Sequence, residues 1–362
     1  MALTAVAPVA PTTGKLESDI EAPAIGGDGS LLTRINLTRP PDRDNELIKV
    51  AAAHGPAGIL AVLRARRDYS WFVTLGLRSI EVCLGPRGPQ SLPCLQECDP
   101  VAFGMQMLEM EVIDEIFLLM RQFDNVKDVQ RSGLAIIELL IMDDPDWRDE
   151  IARKGGVALL CDIAKQRKDS SNIMCQVMTC MSYLAAEDYI EIMLGQHDAL
   201  EYVAYALRYS VKNIELVTRA MLALLNLTVC EAHVEELTDK DAVPLVVTVL
   251  EVHPDDVHVA IITCGVLANL SISDDARAQL AECSLFPRVR AAMDLDPRNT
   301  VLQVAGMKAL VNYTYEKRYY QMMQAVGIDT HIENMMLNHA DDQGVQKYGN
   351  FFFGDHTSCP IL

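Results

Sequence analysis

The run GVLANLSIS at residues 265–273 has a counterpart 43 residues upstream, LALLNLTVC, and another 43 residues downstream, KALVNYTYE, with asparagine in the same place each time. Residues 174–216, laid without gaps over the three segments that follow at intervals of 43, give eleven columns that are apolar in all four copies. A half-apolar chain gives about three by chance. One group of columns holds Met178, Cys180, Met181 and Leu184 and returns as Met221, Ala223, Leu224 and Leu227, as Cys264, Val266, Leu267 and Leu270, and as Met307, Ala309, Leu310 and Tyr313. A second group holds Ala199, Val203, Ala206 and Leu207 and returns as Ala242, Val246, Val249 and Leu250, as Leu285, Val289, Ala292 and Met293, and as Ile328, Ile332, Met335 and Met336. Offsets of four, seven and eight draw one stripe along a helix. Leu194, Leu237, Leu280 and Met323 mark a shorter helix between the two. Each unit reads as one short and two longer helices, and the period-2 alternation of strands is nearly absent.

A unit of this kind cannot bury its own apolar faces, but stacking on equivalent neighbours does, giving a continuous core and a curved rod. The expected class is all-α. A short helix, a helix of the type VPLVVTVL and a third helix ending ALLNL or VLANLS, repeating at this period, resemble the armadillo repeat. The resemblance covers residues 46–354 and implies a right-handed α-α superhelix, a solenoid of about six to seven units. Upstream the register loosens: VQRSGLAIIELL at 129–140 matches the third helix with a one-residue shift, and YSWFVTLGLRSIEVCL at 69–84 matches more faintly. A Pro-, Gly- and Cys-containing insertion occupies 85–100. Residues 1–45 are rich in Pro and Ala and read as a linker-like tail, and 355–362 as a second tail. At the other end, Phe352 and Phe353 fall in the core columns of Ala309 and Leu310 and are expected to close the last unit.

Charge and composition narrow the partners. A formal charge of -19 disfavours phosphate backbones, and the dense basic cluster Arg64, Arg66 and Arg67 reads as a solvated helix face, so no nucleic acid is expected. The sequence shows no run approaching the roughly 18 apolar residues that span a bilayer, and no basic n-region or sustained apolar segment at the start; no membrane is expected. Cysteines such as Cys161, Cys175, Cys180 and Cys264 lie inside apolar helical stretches and suit a reducing, cytoplasmic setting. The C-terminal CPIL outlines a prenylation box at Cys359, against which stand Pro360 and the lack of an upstream polybasic stretch.

No catalytic site is visible, since the phosphate loop, the nucleophile elbow and the two-histidine metal spacing are all missing. The eight histidines are scattered without a repeated partner, and His253 and His258 read as surface loop residues. Cys94 and Cys98 have three residues between them and no second ligand pair nearby, so neither metal nor cofactor is expected. The Asn-x-Ser/Thr triplets at Asn226, Asn269 and Asn312 lie in expected helices and read as chance matches to a glycosylation acceptor.

What remains is the asparagine column. Asn226, Asn269 and Asn312 line up as a ladder on successive third helices, with Tyr183 at the preceding place. Each carboxamide offers a donor and an acceptor. The ladder therefore has two compatible readings: it bonds the neighbouring unit, and, as the resemblance to importin-alpha and beta-catenin implies, it bonds the backbone of an extended peptide in a concave groove. Four residues earlier, where importin-alpha-type grooves carry tryptophan, stand Leu222, Gly265 and Lys308. With Arg219 and Ile262 a turn further back, the expected groove suits an amphipathic or acidic segment. The expected function is a non-catalytic scaffold in a larger cytoplasmic or cytoskeletal assembly, with protein partners held by groove, repeat faces and N-terminal tail. Size and architecture resemble those of armadillo components of ciliary radial spokes in the axoneme. The alternative is a soluble peptide-binding adaptor.

Overall fold

The computed structural model describes residues 40–86, 92–96, 98–142 and 144–354, with side chains from 46 onward. Among these residues there are helices and no strand. The first unit comprises α1 (Pro40–Ala65) and α2 (Ser70–Leu84), the second α3 (Pro100–Glu109), α4 (Val112–Gln122) and α5 (Lys127–Ile141), and the third α6 (Pro145–Arg153), α7 (Gly156–Arg167) and α8 (Ser171–Leu184). The fourth holds α9 (Asp188–Gln196), α10 (Ala199–Tyr209) and α11 (Ile214–Leu227), and the fifth α12 (Glu231–Asp239), α13 (Val243–Val252) and α14 (Val257–Leu270). The sixth holds α15 (Asp274–Glu282), α16 (Leu285–Asp294) and α17 (Thr300–Val311), and the seventh α18 (Lys317–Ala325), α19 (Ile328–Asn338) and α20 (Gln343–Phe352). The described chain thus folds as seven stacked units.

Each third helix packs on the next, from α2 through α5, α8, α11, α14 and α17 to α20, so together they form one continuous face. The core follows the sequence columns: every residue of the two groups is buried except Met336, which is half-buried because no further unit covers it. Gln303 donates from Nε2 to the carbonyls of Met293 and Asp296, at 2.7 and 3.1 Å, closing the end of α16. Gln130 does the same for Met120 and Phe123, which fixes the one-residue shift of the second unit.

Columns that hydrophobicity alone does not show punctuate the stack. Asn213, Asp256, Asn299 and Asp342, at 43-residue intervals, each accept the backbone N–H three residues on and cap a third helix. The junction from first to second helix takes a left-handed backbone at Gly155, Asp198, Asp241, Ser284 and Gly327, again 43 apart. Gly155 and Gly327 hold it without the steric cost a Cβ brings.

Three expectations change. The N-terminal boundary moves, because α1 starts at Pro40, inside the stretch read as a linker; proline suits a first helical turn, where its missing N–H is not needed. Residues Glu46–Ala65 are, by length and composition, apolar enough to cross a membrane. In the structure, however, they break at Gly55, whose φ is 63°, and bury Leu47, Ala51, Ile59 and Leu63 in the first unit. At the far end Phe352 is buried as expected, but Phe353 lies past the end of α20 and is 41% exposed, while Phe351 is buried instead. The N-terminal tail before residue 40 and the C-terminal tail with Cys359 lie outside the described residues.

Candidate protein-interaction face

The asparagine ladder sits at the C-terminal ends of the third helices, half-buried at each rung. Asn226 Nδ2 donates to the Ser182 carbonyl at 2.6 Å. Asn269 Nδ2 donates to the Leu225 carbonyl at 3.0 Å and to Thr228 Oγ1 at 3.1 Å, and Asn312 Nδ2 donates to Ser271 Oγ at 2.9 Å. Every acceptor belongs to the preceding unit. Two of the Asn-x-Ser/Thr triplets thus have a packing role: the hydroxyl two residues after Asn226 receives the amide of Asn269, and the one two residues after Asn269 receives the amide of Asn312. Asn226 has Ala185 at that place and turns to a backbone carbonyl. Asn312 lies one residue beyond α17, in a short 3-10 turn, and not within the helix as expected. The geometry shows the bond between units at all three rungs.

The other candidate residues share the face but not one environment. Tyr183, Arg219 and Leu222 are half-buried on α8 and α11, whereas Ile262 on α14 is 4% exposed and offers no open surface. Lys308 on α17 lies 5.0 Å from the centre of the Tyr348 ring of α20. Burial holds its ammonium below the usual lysine range, with Lys347 adding to the effect.

Sequence reasoning missed the charged floor at the N-terminal end of this face. Glu81 and Glu138 hold the same place on α2 and α5, each three residues before the helix end. Burial pushes both carboxyls above the usual range, against the pull of Arg131 and Arg78 on Glu81 and of Arg219 on Glu138. Glu81 adds to the rise at Glu138, so the floor sets two neighbouring carboxylates among Arg78, Arg131 and Arg219, and the third unit adds no charge to it. The insertion at 85–100 hid the equivalence of Glu81 and Glu138, since it breaks the 43-residue step.

No protein-family model and no curated protein matches the sequence. Solved structures do match the fold. A designed armadillo repeat protein aligns with a TM-score of 0.58 at 14% identity, over 66% of this chain and 98% of that one. A second, solved in complex with the peptide (KR)4, aligns at 0.56 and 14% identity, over 67% of this chain and 98% of that one. An engineered protein aligns at 0.62 and 13% identity over 89% of this chain and 87% of its own. This chain has the armadillo-repeat fold.

Away from the third-helix face, the titratable groups of the armadillo stack serve as seams. His253 Nε2 donates to the Val211 carbonyl at 2.6 Å and His339 Nε2 to the Pro297 carbonyl at 2.9 Å. These histidines stand two units apart at the ends of α13 and α19, and Arg167 at the end of α7 makes the same bond to Asp124 at 2.7 Å. The expectation of histidines without a repeated partner, and of His253 as a mere loop residue, is thus corrected: alternate units carry the donor, which is why a single period hid it. Glu191, Cys230 and His233 come close enough to hold a metal ion. Two of the polar atoms are already engaged, however: Glu191 Oε1 accepts the Cys230 backbone N–H at 2.8 Å, and His233 Nδ1 donates to the Leu227 carbonyl at 2.9 Å. A Cβ on Gly195 would meet His233 Nε2 at 2.1 Å, so the other ring nitrogen is walled in. We read the group as a polar seam between units four and five. Burial pushes the thiols of Cys161, Cys175 and Cys264 up to about 12, which removes thiolate nucleophiles from these positions.

Proposed function

We propose that the protein is a non-catalytic scaffold that holds polypeptide partners along the third-helix face. The observation that carries this reading is the floor of half-buried charges on that face, the neighbouring Glu81 and Glu138 among Arg78, Arg131 and Arg219, where burial leaves both carboxylates short of stabilisation. A partner segment that brings basic side chains to the two carboxylates supplies counter-charge there. Fold likeness supports the reading: one designed armadillo repeat protein was solved with a peptide, and others are described as made for modular peptide recognition. The rest of the face argues against a basic-signal adaptor, since Leu222, Gly265 and Lys308 provide no aromatic wall.

The test is charge inversion on the full chain, with Glu81→Lys, Glu138→Lys and Arg219→Glu combined. Partners captured from native material by the wild type should be lost by at least tenfold in the variant, as expected for charge pairs placed in a partly desolvated face. An unchanged set of partners overturns the proposal. The narrower reading, a structural subunit of a cytoplasmic or cytoskeletal assembly such as a ciliary spoke, rests on size and architecture, and co-purification with axonemal subunits tests it.

A further inference from the structure

A second row of side chains runs beside the asparagines and takes no part in the core. Three residues after each asparagine, at the turn into the next first helix, stand Val229, Ile272 and Tyr315, which are 68%, 48% and 46% exposed. Ala186 holds the same place one unit earlier and is also exposed. Isolated apolar side chains on a surface are ordinary. Here they repeat every 43 residues, so stacking sets them in line along one rim of the solenoid, outside the charged floor.

The spacing of the row selects the shape of an occupant. Packed helices lie about 8–10 Å apart, which sets the scale of the step from one unit's rim residue to the next. An extended strand presents same-side residues about 6.6 Å apart and drifts out of step within two units. A helix presents residue i+7 on the same face after about 10.5 Å, the nearer match to that scale.

Charge selects its chemistry. The first turns that follow the rim residues carry exposed Asp188, Glu231, Asp274 and Asp275. Of these, Asp274 is engaged by Arg277. The basic residues Lys317 and Arg318 enter only at the last turn. Acidic residues in a first helical turn also favour the helix itself, but the negative potential they give the rim remains. We propose that this rim, from Ala186 to Tyr315, docks a cationic amphipathic helix of a partner protein, with apolar residues at seven-residue spacing over the rim and lysine or arginine beside them.

The test uses the full chain and a labelled helical peptide about three heptads long, with leucine at every seventh position, lysine beside each leucine and alanine elsewhere. The control peptide has the same composition with leucine at every fifth position. Fluorescence anisotropy should show the heptad peptide binding at least tenfold more tightly than the control. Val229→Asp with Ile272→Asp should weaken it tenfold or more, and Asp188→Lys with Glu231→Lys should weaken it and reduce its dependence on salt. Both pairs are exposed, and circular dichroism verifies that they leave the helices intact. Equal binding of the two peptides, no binding of the heptad peptide at about 100 μM, or unchanged binding by the Val229/Ile272 variant overturns the proposal. Charge inversion at Glu81, Glu138 and Arg219 should leave this binding unchanged, which separates the rim from the floor.

Discussion

At the scale of single residues, the ladder asparagines are worth what their bonds are worth. Asn269 makes two bonds across the seam and Asn226 one. Asn269→Ala should therefore cost about 1–2 kcal/mol and Asn226→Ala roughly half that, read from urea unfolding. His233 gives a pH signature. The Glu191 carboxylate, 3.5 Å from its Nδ1, raises its pKa above the ordinary value despite the opposing effect of burial. The stability it adds is full below about pH 6.5 and is lost as pH rises through the raised folded value. Thermal melts should show the wild type losing stability above that pH while His233→Asn stays flat over the same range; parallel curves would remove the role given to this pair.

At the scale of helices, complementary sizes decide how closely a third helix approaches the second helix of its own unit. A Cβ on Gly306 would lie 2.5 Å from Met293 Cγ, and one on Gly133 or Gly349 would collide likewise with Met120 or Met336. In the third unit the same two places hold Ala164 and Val177, with bulk moved from one helix to the other. Gly306→Val should cost about 1–3 kcal/mol by overpacking and Met293→Ala about 2–5 kcal/mol by cavity formation. The double variant, which copies the third unit's pair, should cost less than the sum, measurable as a double-mutant cycle. The helices themselves were legible in the sequence because burial repeats faithfully: Leu194, Leu237, Leu280 and Met323 all fall in the short helices and are buried. The polar seams were less legible. The donor at His253 and His339 appears only in alternate units, and Glu81 and Glu138 are separated by an insertion of irregular length. The ladder was visible as a column, but its partners were not, since the accepting hydroxyls sit one unit away. Ile262 shows the remaining gap: the pattern places it on the face, and only packing shows that its neighbours seal it.

At the scale of the whole molecule, a solenoid couples mainly nearest neighbours, so damage at one end should stay there. Phe352 is 1% exposed and packs its ring 5.8 Å from that of Tyr320. Phe352→Ala should cost about 3–5 kcal/mol locally. Hydrogen exchange should accelerate across α18, α19 and α20 while α2 and α5 keep their protection; uniform acceleration would mean that the seven units melt as one. The same locality explains why the charged floor, centred on Glu81 and Glu138 of the first two units, and the apolar rim, which begins at Ala186, can be changed independently.

The hydroxyl that receives each asparagine has a consequence for how such a chain changes length. If residues 231–273 were excised as one block, Asn312 would arrive opposite Thr228, which offers the same oxygen that Ser271 offers now. The cut ends would meet with donor and acceptor already matched, and duplicating the block would leave every new junction equally satisfied. Gain or loss of a complete module is therefore chemically silent at the joint, whereas gain or loss of a few residues is not.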